Sequence, residues 1–173
     1  MNIRIIKRII FAILIVINCT VIFCFSAQNS EKSSKQSSVV VERVVTTITN
    51  ANKKAKKDPT LRDRVTFYVR KTAHFSIYTL LGIWLMNEAN TFDIRKIKKI
   101  VICLIFGCLY AISDELHQSF VSGRSREIRD VMIDTSGVLF GCILVILVGL
   151  IIKKVKNKLN KNKLKEGESV WEL

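Results

Sequence analysis

The sequence predicts an all-α, polytopic membrane protein with four transmembrane helices and an extra interfacial helix in the first extracytoplasmic loop. Two observations carry this. Of 173 residues, 49% are hydrophobic and 24% charged, with a mean hydropathy of +0.28, and the two kinds are sorted into blocks rather than mixed as on a water-facing fold. The apolar blocks are also flanked by basic residues, as at lipid headgroups. A formal net charge of +14 would suit nucleic acid too. Because the basic residues bracket apolar runs and no nucleic-acid-binding motif is visible, membrane lipids are the expected partners and nucleic acid is not.

The first span is expected at about residues 9–27. Its apolar run, Ile9–Phe25, follows Arg4, Lys7 and Arg8. The run is long for a secretory signal, Phe25 fits poorly where a cleavage site needs a small residue, and no lipobox precedes Cys19 or Cys24, so an uncleaved helix is expected. In the connection that follows, "SSVVVERVVTTITNANKKAKK" carries Val41, Val44, Val45 and Ile48 at helical spacing. This stripe suits a helix on the membrane surface with Lys53–Lys57 near lipid phosphates, and suits a solvated linker equally well.

The second span, about 70–89, is apolar only over Thr72–Met86, short of the roughly 20 residues a bilayer requires. Asp58 and Pro59 read as an N-cap and a first helical position, so the helix is expected to start near Pro59 and run along the interface through Leu61, Val65 and Tyr68. The third span, about 100–120, is apolar from Ile100 to Ile112 and reaches spanning length only if "SDELHQSF" stays helical. The fourth, about 131–152, is full length. Residues 1–152 thus form the membrane domain, and 153–173 a basic tail, expected to be frayed and cytoplasmic. All five cysteines (Cys19, Cys24, Cys103, Cys108, Cys142) lie in apolar runs, as small core residues rather than a disulfide framework.

With a cytoplasmic amino terminus, half of the 28 basic residues fall inside and half outside. The inside group is the denser and closer to span ends: Arg4, Lys7, Arg8, then Arg95, Lys96, Lys98, Lys99, then seven lysines after Ile152. Both termini are therefore expected in the cytoplasm.

This topology brings the polar residues to one membrane face. Lys71, His74 and Tyr78 share a helical face near the outer end of the second span; Asp114, Glu115, His117 and Gln118 end the third; Asp130 and Asp134 begin the fourth, in one stripe with Gly137 and Gly141. The two glycines form a G-x-x-x-G pattern that permits close helix approach, expected to bring the fourth helix towards the third and offering a helix contact for an oligomer of unspecified size. Ionisable groups at membrane depth are functional candidates by default. Arg124, Arg126 and Arg129 can simply pair with neighbouring carboxylates, and Arg126 and Glu127 are read that way. Asp114-x-x-His117 with His74 and Asp134 offers nitrogen and oxygen donors but matches no recognised zinc spacing, so no metal or cofactor is expected. No nucleophile elbow, P-loop or H-E-x-x-H appears. Arginines above a polar chamber suit a phosphate or carboxylate ligand.

The pieces "FSAQNS", "RKTAHFSIYTLLG" and "SDELHQSFVSGRSREIRDVMIDTSGVLFG" resemble the VanZ-like family of bacterial membrane proteins over most of residues 10–150. The resemblance implies a small polytopic protein of the bacterial cytoplasmic membrane, in a family whose name-giving member is associated with resistance to the glycopeptide teicoplanin. It carries over Ser26, Gln28, Lys71, His74, Tyr78, Asp114, Glu115, Gln118, Arg124 and Asp130 as characteristic polar positions. Asp134 departs from it, standing where the family commonly has asparagine. Two functions of different class follow as expectations. One is a cell-envelope protein whose outward chamber binds or alters a lipid, a wall component or a lipid-linked or glycopeptide ligand. The other is a membrane-embedded acid–base or metal-dependent enzyme acting on a lipid or lipid-linked glycan. Proton movement through the carboxylates and histidines is a third.

Overall fold

The computed structural model describes residues 2–28, 30–51, 58–121 and 127–169. All regular structure among them is helical: α1 (Ile3–Ser26), α2 (Ser30–Ala51), α3 (Leu61–Ala89), α4 (Lys96–Gln118) and α5 (Ile128–Ser169). Among the described residues, three helices are long and apolar enough to cross a membrane: α1, α4 and the Ile128–Asn160 part of α5.

The helix limits follow local chemistry. Asn2 caps α1 by accepting the Arg4 N–H at 3.0 Å. The polar "SDELHQ" does continue α4, to Gln118, giving it 23 residues. α3 starts later than Asp58 and Pro59 suggest. Asp58 spends its carboxylate on the Thr60 N–H (2.9 Å) and hydroxyl (2.8 Å) and pairs with Arg64, leaving Thr60 as the N-cap. Those Thr60 hydrogen bonds also hold the Asp58 carboxyl below its ordinary pKa. α5 does not stop at residue 152. Lysine is a good helix former, no proline or glycine falls between Gly149 and Gly167, and the expected tail continues as helix to Ser169.

α3 is the central helix, touching the other four, with its largest contact on α5. It buries Tyr78, Leu81, Gly82, Met86 and Ala89, and Tyr78 and Leu81 are 0% exposed. α3 and α5 run parallel: Lys71 meets Asp130, His74 meets Asp134, and Gly82 meets Cys142. Glycine makes this seam possible. A methyl group at Gly82 would sit 2.3 Å from the Val138 carbonyl oxygen, one at Gly137 2.6 Å from that of Phe75, and one at Gly141 2.2 Å from that of Thr79. The Gly137/Gly141 stripe thus packs on α3 of the same chain, not on α4 as the sequence suggested. α4 approaches α5 through Gly107, which faces the Val138 side chain.

Polar bolts hold the two ends. The Arg8 guanidinium donates to the Thr91 hydroxyl (3.0 Å) and carbonyl (3.2 Å) and lies 4.1 Å over the Phe92 ring. The Tyr110 hydroxyl donates to the Cys19 carbonyl at 2.6 Å. Several hydroxyls fold back onto their own helix, as Thr20 to Val16, Ser76 to Thr72 and Thr79 to Phe75, which satisfies these donors without water. The outer faces of α1, α4 and α5 expose Ile13, Val16, Ile105, Leu109 and Leu147, a lipid-facing coat.

Replacing Gly82 or Gly141 by alanine is expected to cost about 1–3 kcal/mol, the usual range for overpacking, and to lower the thermal unfolding midpoint in detergent. Gly149→Ala, with nothing within 4 Å of its added methyl, should leave the midpoint unchanged or slightly higher.

Candidate functional site

The end of the bundle where α1 and α4 finish and α3 and α5 begin collects the polar side chains in two layers. The inner layer has one residue from each of three helices: His74 of α3, Asp114 of α4 and Asp134 of α5. One ligand atom from each lies within 4.8 Å of the others. Asp114 is 4% exposed and Asp134 2%. His74 Nδ1 and Asp134 Oδ1 are 3.7 Å apart, too far for a hydrogen bond, and neither atom has another hydrogen-bond partner. Gln118 donates through Nε2 to Asp114 Oδ2 at 2.9 Å and to the Ser26 hydroxyl at 3.2 Å, bracing α4 against α1. The Tyr78 hydroxyl lies beside Asp114 and Asp134 and completes no hydrogen bond.

The outer layer is a charge lattice over the start of α5. Lys71 pairs with Asp130 and stands 3.6 Å from Glu127. Glu115, 7% exposed, accepts the Glu127 N–H at 2.8 Å. Glu127 therefore ties the connection down, as its sequence context suggested, through its backbone as well as its charge. A negative layer needs such a cation, since unpaired carboxylates at this depth are strongly disfavoured.

Not every sequence candidate joins this arrangement. His117 stacks on Phe23 of α1, with ring centroids 4.4 Å apart at 27°. The i, i+3 offset from Asp114 turns its ring to the α1 side, and His117 is not gathered with Asp114, His74 and Asp134. Arg124 lies outside the described residues. Gln28 sits just past α1, with its side-chain Oε1 buried and without a hydrogen-bond partner. Asn18, 5% exposed with Oδ1 unpartnered, was missed by the sequence reading. Its signal was a lone amide in an otherwise apolar run.

Beside the inner layer, a cavity of about 370 Å³ opens between α1, α2 and α3. Its walls are mainly apolar, including Ile22, Phe25, Val40, Val69, Ala73 and Ile77, with Ser26, Ser37, Arg70 and His74 as polar points. His74 thus joins the cavity to the buried carboxylates. The apolar wall from α2 exists because Val41, 2% exposed, anchors that helix on the bundle.

A family model described as VanZ/LLP1 matches residues 10–150, a stretch that takes in both polar layers. No curated protein and no solved structure matches the chain.

Lys71→Met should strand Asp130, while Glu127 keeps Arg129 at 4.0 Å, and cost about 1–3 kcal/mol, the penalty for a poorly hydrated polar group left unpaired. Adding Asp130→Leu should recover part of that loss, because replacing both members of a buried pair is far milder than removing one. Unfolding midpoints of the single and double variants in detergent check this.

Proposed function

The chain belongs to the VanZ/LLP1 family, and from that premise we propose that it is a four-span protein of the bacterial cytoplasmic membrane whose outward-facing chamber binds an envelope lipid or lipid-linked wall component. By holding such a ligand, or the lipid-bearing end of a glycopeptide, it contributes to teicoplanin tolerance. The observation that carries this is the juxtaposition of an apolar cavity with a buried polar cluster through one shared residue, His74. An acyl or prenyl chain suits the apolar walls, and an anionic headgroup suits Arg70 at the rim.

The fourth span is α3. Its 29 residues extend about 44 Å at 1.5 Å per residue, more than the roughly 30 Å hydrocarbon core. Lys71, His74 and Tyr78 turn towards the carboxylates of α4 and α5, so a low overall hydropathy is compatible with a lipid environment. α2 is the interfacial helix, resting on α3 by its valine stripe. Both termini are cytoplasmic, with Arg4, Lys7, Arg8 and Lys96, Lys98 and Lys99 at the inner face.

A second reading draws on the His74–Asp134 approach. An imidazole beside a buried carboxylate is the arrangement of a general base with its orienting partner, which favours a membrane-embedded enzyme acting on a lipid or lipid-linked glycan. Conservative changes separate the two. Asp114→Asn and Glu115→Gln should nearly abolish turnover in an enzyme and leave partial function in a binding protein.

In a deletion strain, wild type is expected to restore teicoplanin tolerance while the Asp114→Asn/Glu115→Gln double variant, at matched membrane expression, does not. If wild type fails to restore it, the resistance link is wrong for this protein. Ala73→Trp should fill the cavity and weaken binding of an anionic phospholipid by about tenfold or more, a change of about 1.4 kcal/mol. With the native cysteines replaced by alanine, Ser38→Cys should react with a membrane-impermeant thiol reagent in intact cells and Asp93→Cys should not. The reverse pattern would invert the topology.

A further inference from the structure

The inner layer lacks something. Two carboxylates, each at least nine-tenths buried, face one imidazole, and among the described residues no ion pair brings a lysine or arginine to either. Lys71 is committed to Asp130 and Glu127. Asp134 Oδ1, His74 Nδ1 and the fully buried Tyr78 hydroxyl all lack hydrogen-bond partners, although buried polar atoms nearly always have one. The orphaned acceptors of His74 and Asp134, with Asp114 within 4.8 Å of them, mark a position that a cation would satisfy.

We propose that His74, Asp114 and Asp134 form a divalent metal site, with Mn²⁺ as the matching type of ion. One nitrogen and two carboxylate oxygens are a mixed donor set suited to a first-row ion of this hardness. The dispersion within 4.8 Å needs only a modest contraction, since ligands about 2.1 Å from a common ion lie at most about 4.2 Å apart. A dication balances the two carboxylate charges, removing most of the penalty of holding them at membrane depth. Gln118 fits as an orienting neighbour: by donating to Asp114 Oδ2 and to the Ser26 hydroxyl, it steadies the Asp114 carboxylate. Partners of this kind fix ligand direction in metal sites. Tyr78 stands ready to donate to a carboxylate or to water on the ion.

The sequence offered these donors together with His117 but argued against a metal because no recognised ligand spacing was present; the donors come one from each of three helices, so short-range spacing does not register them. The metal site stands independently of the lipid chamber. A further step rests on that reading: the cavity reaches His74, so a coordination position open on that side would take a phosphate or carboxylate oxygen of the chamber's ligand.

The test uses the full chain in detergent, stripped with chelator and titrated with Mn²⁺ alone. Mn²⁺ is the probe because five thiols compete for Zn²⁺. One ion per chain is expected, with a perturbed paramagnetic resonance spectrum and an unfolding midpoint that rises with Mn²⁺ concentration. Asp134→Asn and His74→Gln should weaken binding by at least about 100-fold and Gln118→Ala by about 10-fold. His117→Gln, which removes the other of the two histidines, should leave it unchanged. A folded wild type that takes up no Mn²⁺, or whose binding survives Asp134→Asn, overturns the site; in that case His74 and Asp134 form only a protonation-dependent pair. If the variants fail to fold, the wild-type stoichiometry and its Mn²⁺-dependent midpoint decide. Loss of Mn²⁺ binding with lipid binding still sensitive to Ala73→Trp would refute the metal and spare the chamber. The opposite result would spare the metal and refute the chamber.

Discussion

The architecture depends on how closely α3 and α5 approach each other. Three glycines remove the side chain at their own positions, and there the backbone of one helix lies against that of the other. In hydrocarbon, where burial from water no longer drives helix association, contact of this kind is the main source of cohesion. It also sets the register. With Gly82, Gly137 and Gly141 locked, Lys71 must fall opposite Asp130 and His74 opposite Asp134, because both helices advance by the same turn. The polar cluster is thus a geometric product of the apolar seam.

The two polar layers divide the work. The outer one, built from Lys71, Asp130, Glu127 and Glu115, is held by ion pairs and one backbone hydrogen bond and closes the start of α5 over the bundle. The inner one is not satisfied: Gln118 and Ser26 steady Asp114, but Asp134, His74 and Tyr78 retain free hydrogen-bonding capacity. Hydroxyls as exposed as those of Thr20 and Ser76 are satisfied on their own helices, whereas the buried Asp134 carboxylate and Tyr78 hydroxyl, with His74 beside them, keep open hydrogen-bonding positions. This is the usual mark of a place where something binds.

Much of this was legible in the sequence, for physical reasons. Blocks of apolar residues announce helices in lipid, and α1, α4 and α5 follow them closely. The continuation of α4 through "SDELHQ" was demanded by length alone. The gathering of His74, Asp114 and Asp134 followed from strict alternation of direction. Other features depended on facts that periodicity does not encode. Which helix the Gly137/Gly141 stripe faces is a matter of rotation about the α5 axis, and the answer was α3. His117 shares a broad face with Asp114, but only the position of Phe23 decides where its ring goes. The start of α3 shifted because Asp58 bonds Thr60 rather than capping a helix at Pro59. Beyond residue 152, lysine-rich sequence reads as a solvated tail, while its high helix propensity extends α5 to Ser169.

The parallel seam also has a consequence for how the chain is made. α3 leaves the ribosome before α5, with α4 and its flanking connections, residues 90–127, still to be synthesised between them. A helix carrying Lys71 and His74 partitions poorly into lipid by itself, and its glycine face has no partner until the last span arrives. In the four-span reading, the centre of the bundle therefore waits at the insertion machinery or the interface for its own carboxy-terminal neighbour. Membrane integration of this protein would be decided late, as a single cooperative event, rather than helix by helix in order of synthesis.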